Sequence, residues 1–126
     1  LREWGVLSLR FVRSVVVLVA ALCLLCLAVM PVYAHPPKEV TLELGPNGAL
    51  TVRVLHSVDD PGKHYVSRIT VYVDDRAEET REYKSQTGTE GMSDIFALDP
   101  PRSGANIRAE AFCVIMGSKT GSFIVP

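Results

Sequence analysis

The run Val15 to Met30, VVVLVAALCLLCLAVM, carries no charge and divides this chain before anything else in it can be read. Arg2, Arg10 and Arg13 precede the run, Pro31 ends it, and Val32-Tyr33-Ala34 places small residues where a signal peptidase cuts. A basic start, an apolar centre and a small-residue exit describe a secretory signal, a hydrophobic helix over residues 1–34 with cleavage after Ala34. The run is long for a signal and short for a membrane span, so an uncleaved anchor over residues 15–32 is the alternative. Neither Cys23 nor Cys26 follows the small residue that a lipid-modified cysteine needs. Residues 35–126 are therefore expected to be secreted or periplasmic, or held at a membrane only through the N-terminal segment.

Beyond residue 34 the pattern changes to period two, the repeat of a half-buried strand. Val40 to Leu44 alternates, Gly45-Pro46-Asn47-Gly48 is a turn by composition, and Ala49 to His56 alternates again with Leu50, Val52 and Val54 on one face. These two runs predict a hairpin. Tyr65 to Val73 is rich in β-branched and aromatic residues and reads as a central strand. Asp74-Asp75 turns the chain, and Glu79 to Gln86 is a polar edge-strand candidate; Glu78 to Glu82 has nothing apolar to anchor a helical turn. Ile95 to Leu98 is a short apolar piece, Asp99 to Gly104 a loop. Ile107 to Ile115 alternates with Ile107, Ala109, Ala111, Cys113 and Ile115 on one face, Gly117 to Gly121 reads as a loop, and Ser122 to Val125 is a last short strand. About seven short strands with frequent turns predict an all-β, immunoglobulin-like antiparallel sandwich.

Charge excludes one class of partner. Residues 35–126 hold 10 Lys and Arg against 13 Asp and Glu, a formal charge of −3, with no basic block and no aromatic interleaving, so nucleic acid is not expected. Cysteine use is more informative. Two of the three cysteines lie in the apolar run, which leaves Cys113 alone in an exported domain where disulfides are permitted. It can be a buried inert thiol, half of an intermolecular disulfide, or a metal thiolate; by residue type the first is commonest.

The residues that can join it are histidines. His56 closes the Leu50/Val52/Val54 face, and His64 opens the next strand after Ser57 to Lys63. A turn brings its two ends together, so both rings can sit at one end of the sandwich, and Cys113, followed by a glycine-rich segment, can reach an end too. Two imidazoles and a thiolate suit Fe, Cu or Zn. On spacing alone, histidines beside a turn are more often simply solvated, and a lone cysteine more often fills a core.

His64-Tyr65-Val66 before a β-branched strand, and Cys113-Val114-Ile115-Met116-Gly117 near the C-terminus, resemble the iron-binding domain of desulfoferrodoxin and neelaredoxin, the superoxide reductases. The resemblance covers most of residues 38–126. It implies an immunoglobulin-like sandwich and a mononuclear non-haem iron held by histidine nitrogens and one axial cysteine sulfur. It also implies an electron-donor protein, and a small redox substrate, superoxide, which takes one electron and two protons to become hydrogen peroxide. Carried over residue by residue, His56 and His64 match two of the family's histidines and Cys113 its axial thiolate; His35 is the candidate for a histidine upstream. Met116 stands where the family has a further histidine ligand, Val114 where it has Asn, Ser57 where it has Pro, and Arg68 where a Trp is common. Lys63 and Lys119 are the lysines nearest these motifs, and solvated lysine is the default for both.

Two positions keep alternative readings. After cleavage His35 would be the first residue, able to chelate through ring and α-amine, whereas Pro36-Pro37 favours an extended, mobile terminus. Met116 adds a thioether to two His and one Cys, the inventory of a small copper electron carrier, whereas filling the core is its default. A sandwich that binds a protein partner or passes a metal on, without catalysis, is the remaining reading. N-terminal sequencing of the exported protein is expected to begin His35-Pro36-Pro37; an intact apolar segment in its mass would identify the anchor instead.

Overall fold

The protein is described from a computed structural model that covers residues 3–27 and 34–126, with side chains of the helix from 8 to 26. The chain separates into two units, residues 1–33 and 34–126, which are taken individually. The expected cleavage segment from Pro31 to Tyr33 lies outside the described residues.

The first unit is one helix, α1 (Glu3–Leu27). Its stretch Ser8–Cys26 has a mean hydropathy of 2.3 and none of it is buried. At about 1.5 Å of rise per residue, those 19 residues reach nearly 30 Å, the thickness of a bilayer's hydrocarbon. The apolar stretch is thus longer than the uncharged run alone, since the helix carries Arg10 and Arg13 within it. A signal sequence and a membrane anchor meet this length and composition equally.

The second unit is an all-β sandwich of seven strands: β1 (Glu39–Leu44), β2 (Ala49–Leu55), β3 (Val66–Val73), β4 (Arg76–Glu82), β5 (Gly91–Ala97), β6 (Asn106–Cys113) and β7 (Ser118–Ile124). They form two antiparallel sheets in the orders β1-β2-β5 and β4-β3-β6-β7. Between the sheets, Leu50, Val52, Ile69, Val71, Phe96 and Ile107 are fully buried. Leu50, Val52 and Ile107 come from strands read by their period-two rows, and Ile69, Val71 and Phe96 from runs read by their β-branched or apolar content. The expected β1–β2 hairpin forms with Val40 opposite Val54. Asp74 and Asp75 both take positive φ, 48° and 64°, the two-residue hairpin turn whose twist matches its flanking strands.

Several boundaries differ from the sequence expectation, each for a physical reason. A two-residue turn at 74–75 obliges β4 to start at Arg76, so the polar edge strand ends at Glu82, and Gln86, expected on it, lies beyond and is buried. β5 begins at Gly91 because it pairs along all of β2. β7 begins at Ser118, so the segment to Gly121 is strand and not loop. β6 ends at Cys113, and Ile115 leaves its buried row, 43% exposed. At Gly121 a side chain would collide with the Val40 carbonyl oxygen, so its absence lets β7 close on β1.

At the other flank the sheets are clasped by polar groups. Tyr83 Oη donates to Asp94 Oδ2 at 2.6 Å, and Arg81 Nη1 pairs with the same oxygen at 3.0 Å. Burial pushes the Asp94 carboxyl up, but these bonds outweigh it and hold the group below its usual range. Leu50→Ala, at a fully buried site, is expected to cost about 2–5 kcal/mol of stability, read by urea unfolding.

Candidate metal centre

One pole of the sandwich receives the start of β1, the end of β2, the approach to β3 and the end of β6. His56 continues the inward row of β2, in register with Leu50, Val52 and Val54, and is 0% exposed. Its backbone N–H bonds to Glu90 O at 3.0 Å. Residues 56–65 do not form a hairpin, because β2 and β3 belong to different sheets. They cross from one sheet to the other through a turn at Asp60-Pro61-Gly62, where Asp60 O accepts from the N–H groups of Lys63 and His64 at 3.1 and 2.9 Å. The crossing still brings the two rings together, with centroids 4.7 Å apart.

His35 joins them. Its ring centroid lies 5.2 Å from His56 and 5.0 Å from His64. The expectation of a loose terminus fails because Pro36 and Pro37 are seated. Pro37 is fully buried, Lys38 N–H bonds to Leu55 O at 2.8 Å, and Pro36 lies on Gly117. Gly117 has a φ of +73°, and a Cβ there would stand 3.0 Å from that of Pro36, so a glycine both makes the turn and leaves room for the strap. The ligating atoms of His35, His56 and His64 all lie within 4.8 Å of one another, and this group can hold a metal ion.

Cys113 sits at the same pole. Val66 and Cys113 are opposite each other across β3 and β6, and the residue two before Val66 is His64. His64 Nε2 and Cys113 Sγ are 3.1 Å apart, and Ile115 N–H donates to the same sulfur at 3.4 Å. Cys113 is buried but at the edge of the core, 8% exposed. Met116 does not fill the core: it is 55% exposed in the turn between β6 and β7, beside Val114 at 41% and Ile115 at 43%. Lys63 is solvent-exposed and pairs with Asp60 at 3.8 Å. Lys119 is exposed on β7.

Sequence reasoning missed Gln86. It is 4% exposed and spends all its hydrogen-bonding groups at this pole. Its Oε1 meets His56 Nδ1 at 2.9 Å and Val66 N at 3.2 Å, and its Nε2 donates to the carbonyls of His56 at 2.7 Å and Gly88 at 2.8 Å. The only signal was a glutamine between a polar strand and a Gly/Thr turn, which by composition is a surface residue.

The electrostatics favour a neutral His64 ring. Burial lowers the His64 pKa from 6.5, and the charges of the neighbouring His56 and His35 rings lower it further; a hydrogen bond to the His35 backbone and the charge of Asp59 act the other way without reversing it. A cleft of about 300 Å³ at the opposite pole, by Arg76, Glu78 and Asp99, brings no histidine or cysteine together. Comparison with protein-family models, with curated proteins and with solved structures finds no match.

Because the folded pKa of His64 lies below 6.5, the unfolded chain takes up the proton first as pH falls. The stability that neutral His64 contributes is complete above 6.5 and lost between 6.5 and the lowered value. Metal-stripped protein is expected to melt at progressively lower temperature from pH 7.5 to 5.5, and His64→Gln to show a smaller decline.

Proposed function

We propose that this domain is an exported mononuclear metal protein of superoxide reductase-like type, its ion held by His35, His56 and His64 with the Cys113 sulfur as a further ligand. The observation that carries the reading is the convergence of three imidazoles, from three separate segments, beside a buried sulfur.

The donor set fits such an ion. Three nitrogens bound to a common metal at about 2.0–2.1 Å can be mutually no more than about 3.6 Å apart, so rings whose atoms lie within 4.8 Å need to close by on the order of an ångström. Three nitrogens and a sulfur, with no carboxylate in the group, suit iron, copper or zinc and not calcium or magnesium. The resemblance in His64-Tyr65-Val66 and Cys113 to Gly117 favours iron among these.

The residues divide the work by burial. His56, fully buried and held by Gln86, is the rigid floor of the site, and half-buried His64 joins it to the sulfur. Exposed His35 forms the solvent side, where a small anion can approach. Ile115 N–H places a donor on the sulfur, which tempers the electron density that Cys113 offers. Bound here as Fe(II), the metal would supply the one electron that, with two protons, converts superoxide to hydrogen peroxide, and a donor protein would restore it. The exposure of Met116, three residues from Cys113, favours a second reading, a soft-metal carrier that binds copper.

Full-length protein purified in mild detergent, stripped and reloaded anaerobically, is expected to bind one Fe(II). On oxidation it should show a sulfur-to-iron charge-transfer band that Cys113→Ala abolishes, and it should form peroxide from added superoxide. His56→Ala should weaken metal binding beyond the about 10–100-fold that loss of an outer-shell partner costs. An intense blue Cu(II) form without peroxide production would support the carrier, and failure to bind either metal stoichiometrically would sink both readings.

A further inference from the structure

We propose that Gln86 is the positioning residue of this centre: its side-chain amide fixes His56 in the tautomer that leaves Nε2 bare and turned toward the other ligands. The inference rests on the metal reading for its purpose, but not for its geometry.

The amide can face only one way. Val66 N–H is a donor and needs an oxygen, and the carbonyls of His56 and Gly88 are acceptors and need N–H groups. A flipped amide would set N–H against N–H once and oxygen against oxygen twice. Oε1 therefore faces Val66, and the same oxygen meets His56 Nδ1 at 2.9 Å. An amide oxygen cannot donate, so Nδ1 carries the proton. In the neutral tautomer that this bond selects, Nε2 is the nitrogen without a proton.

The bare nitrogen faces the carbonyl oxygen of His35 at 3.3 Å. Two lone pairs so placed repel each other unless a cation lies near both. Without Gln86 the contact has a simple escape: the ring shifts its proton to Nε2 and donates it to His35 O, which removes His56 from the ligand set. Gln86 closes that escape. Its two donors also tie the His56 main chain to the turn at Gly88, and its bond to Val66 ties the same point to the strand that follows His64. One amide thus orients one ligand and braces the base of a second.

The test reads the tautomer separately from the metal. In metal-stripped full-length protein at pH 7.5, long-range proton–nitrogen correlation of the His56 ring is expected to show a protonated Nδ1 and an unprotonated Nε2. Gln86→Met, similar in size but unable to accept from Nδ1, should move the proton to Nε2. It should also weaken Zn(II) binding, measured against a competing chelator, by about 10–100-fold. Gln86→Glu keeps the acceptor for Nδ1 but sets an oxygen against the carbonyls of His56 and Gly88, so it should keep Nδ1–H while lowering stability. Protonated Nε2 in the wild type, or an unchanged tautomer and affinity in Gln86→Met, would overturn the assignment. Should Gln86→Met fail to fold, the wild-type and Gln86→Glu tautomers decide it. A wild type with the expected tautomer that binds no Zn(II) would count against the metal reading while leaving the role of Gln86 in the ring's orientation intact.

Discussion

The pairing of β3 with β6 is the constraint on which the rest of this pole depends. It sets Val66 against Cys113, and so brings His64, two residues before the strand, beside a sulfur 49 positions later in the chain. The register shift between Val66 and Arg68 is part of the same device. Ser67 is the extra residue, its hydroxyl bonded to Phe112 O at 3.3 Å. The bulge lets Val66 face the core at the pole while Ile69 and Val71, of opposite parity, face it further along. Without it, either the core row or the approach of His64 would turn outward.

The sandwich supplies the remaining parts by ending its apolar rows in side chains that are able to ligate a metal. The inward row of β2 runs Leu50, Val52, Val54, His56, and that of β6 runs Ile107, Ala109, Ala111, Cys113. Each row comes from a different sheet, and both finish at one pole. A fully buried imidazole is costly unless its nitrogens are satisfied, and Gln86 answers for one of them. Burial and mutual proximity also lower the His64 pKa, which leaves its nitrogen more readily available to a metal ion. Burial and electrostatics at His64 therefore favour the neutral form, the one in which histidine can bind metal.

The strands were legible because burial on one face imposes period two, and β2 and β6 display it without interruption. That same periodicity correctly put His56 on the inner face. It misled where a turn or a bulge reset the parity: Ile115 continues the alternation of β6 in sequence but lies past the strand's end. β4 and β7 were misplaced because edge strands bury little and carry a weak pattern. His35 looked mobile because two prolines prevent regular structure; here they pack instead, Pro37 into the core and Pro36 onto Gly117. Gln86 could not be found, since nothing local distinguishes a glutamine that will be buried.

The sequence alone determined the division at an apolar segment, the all-β class, and the identity of the candidate donors His35, His56, His64 and Cys113. These follow from composition, alternation and resemblance, which are properties of neighbours along the chain. Tertiary structure alone decided that three rings and a sulfur share a pole, that Met116 faces solvent, and that an amide from an unremarked segment holds one ring in place. The reason is that sheet order, register and bulges are settled by the packing of whole strands against each other, and a ligand set is assembled only where those long-range choices meet.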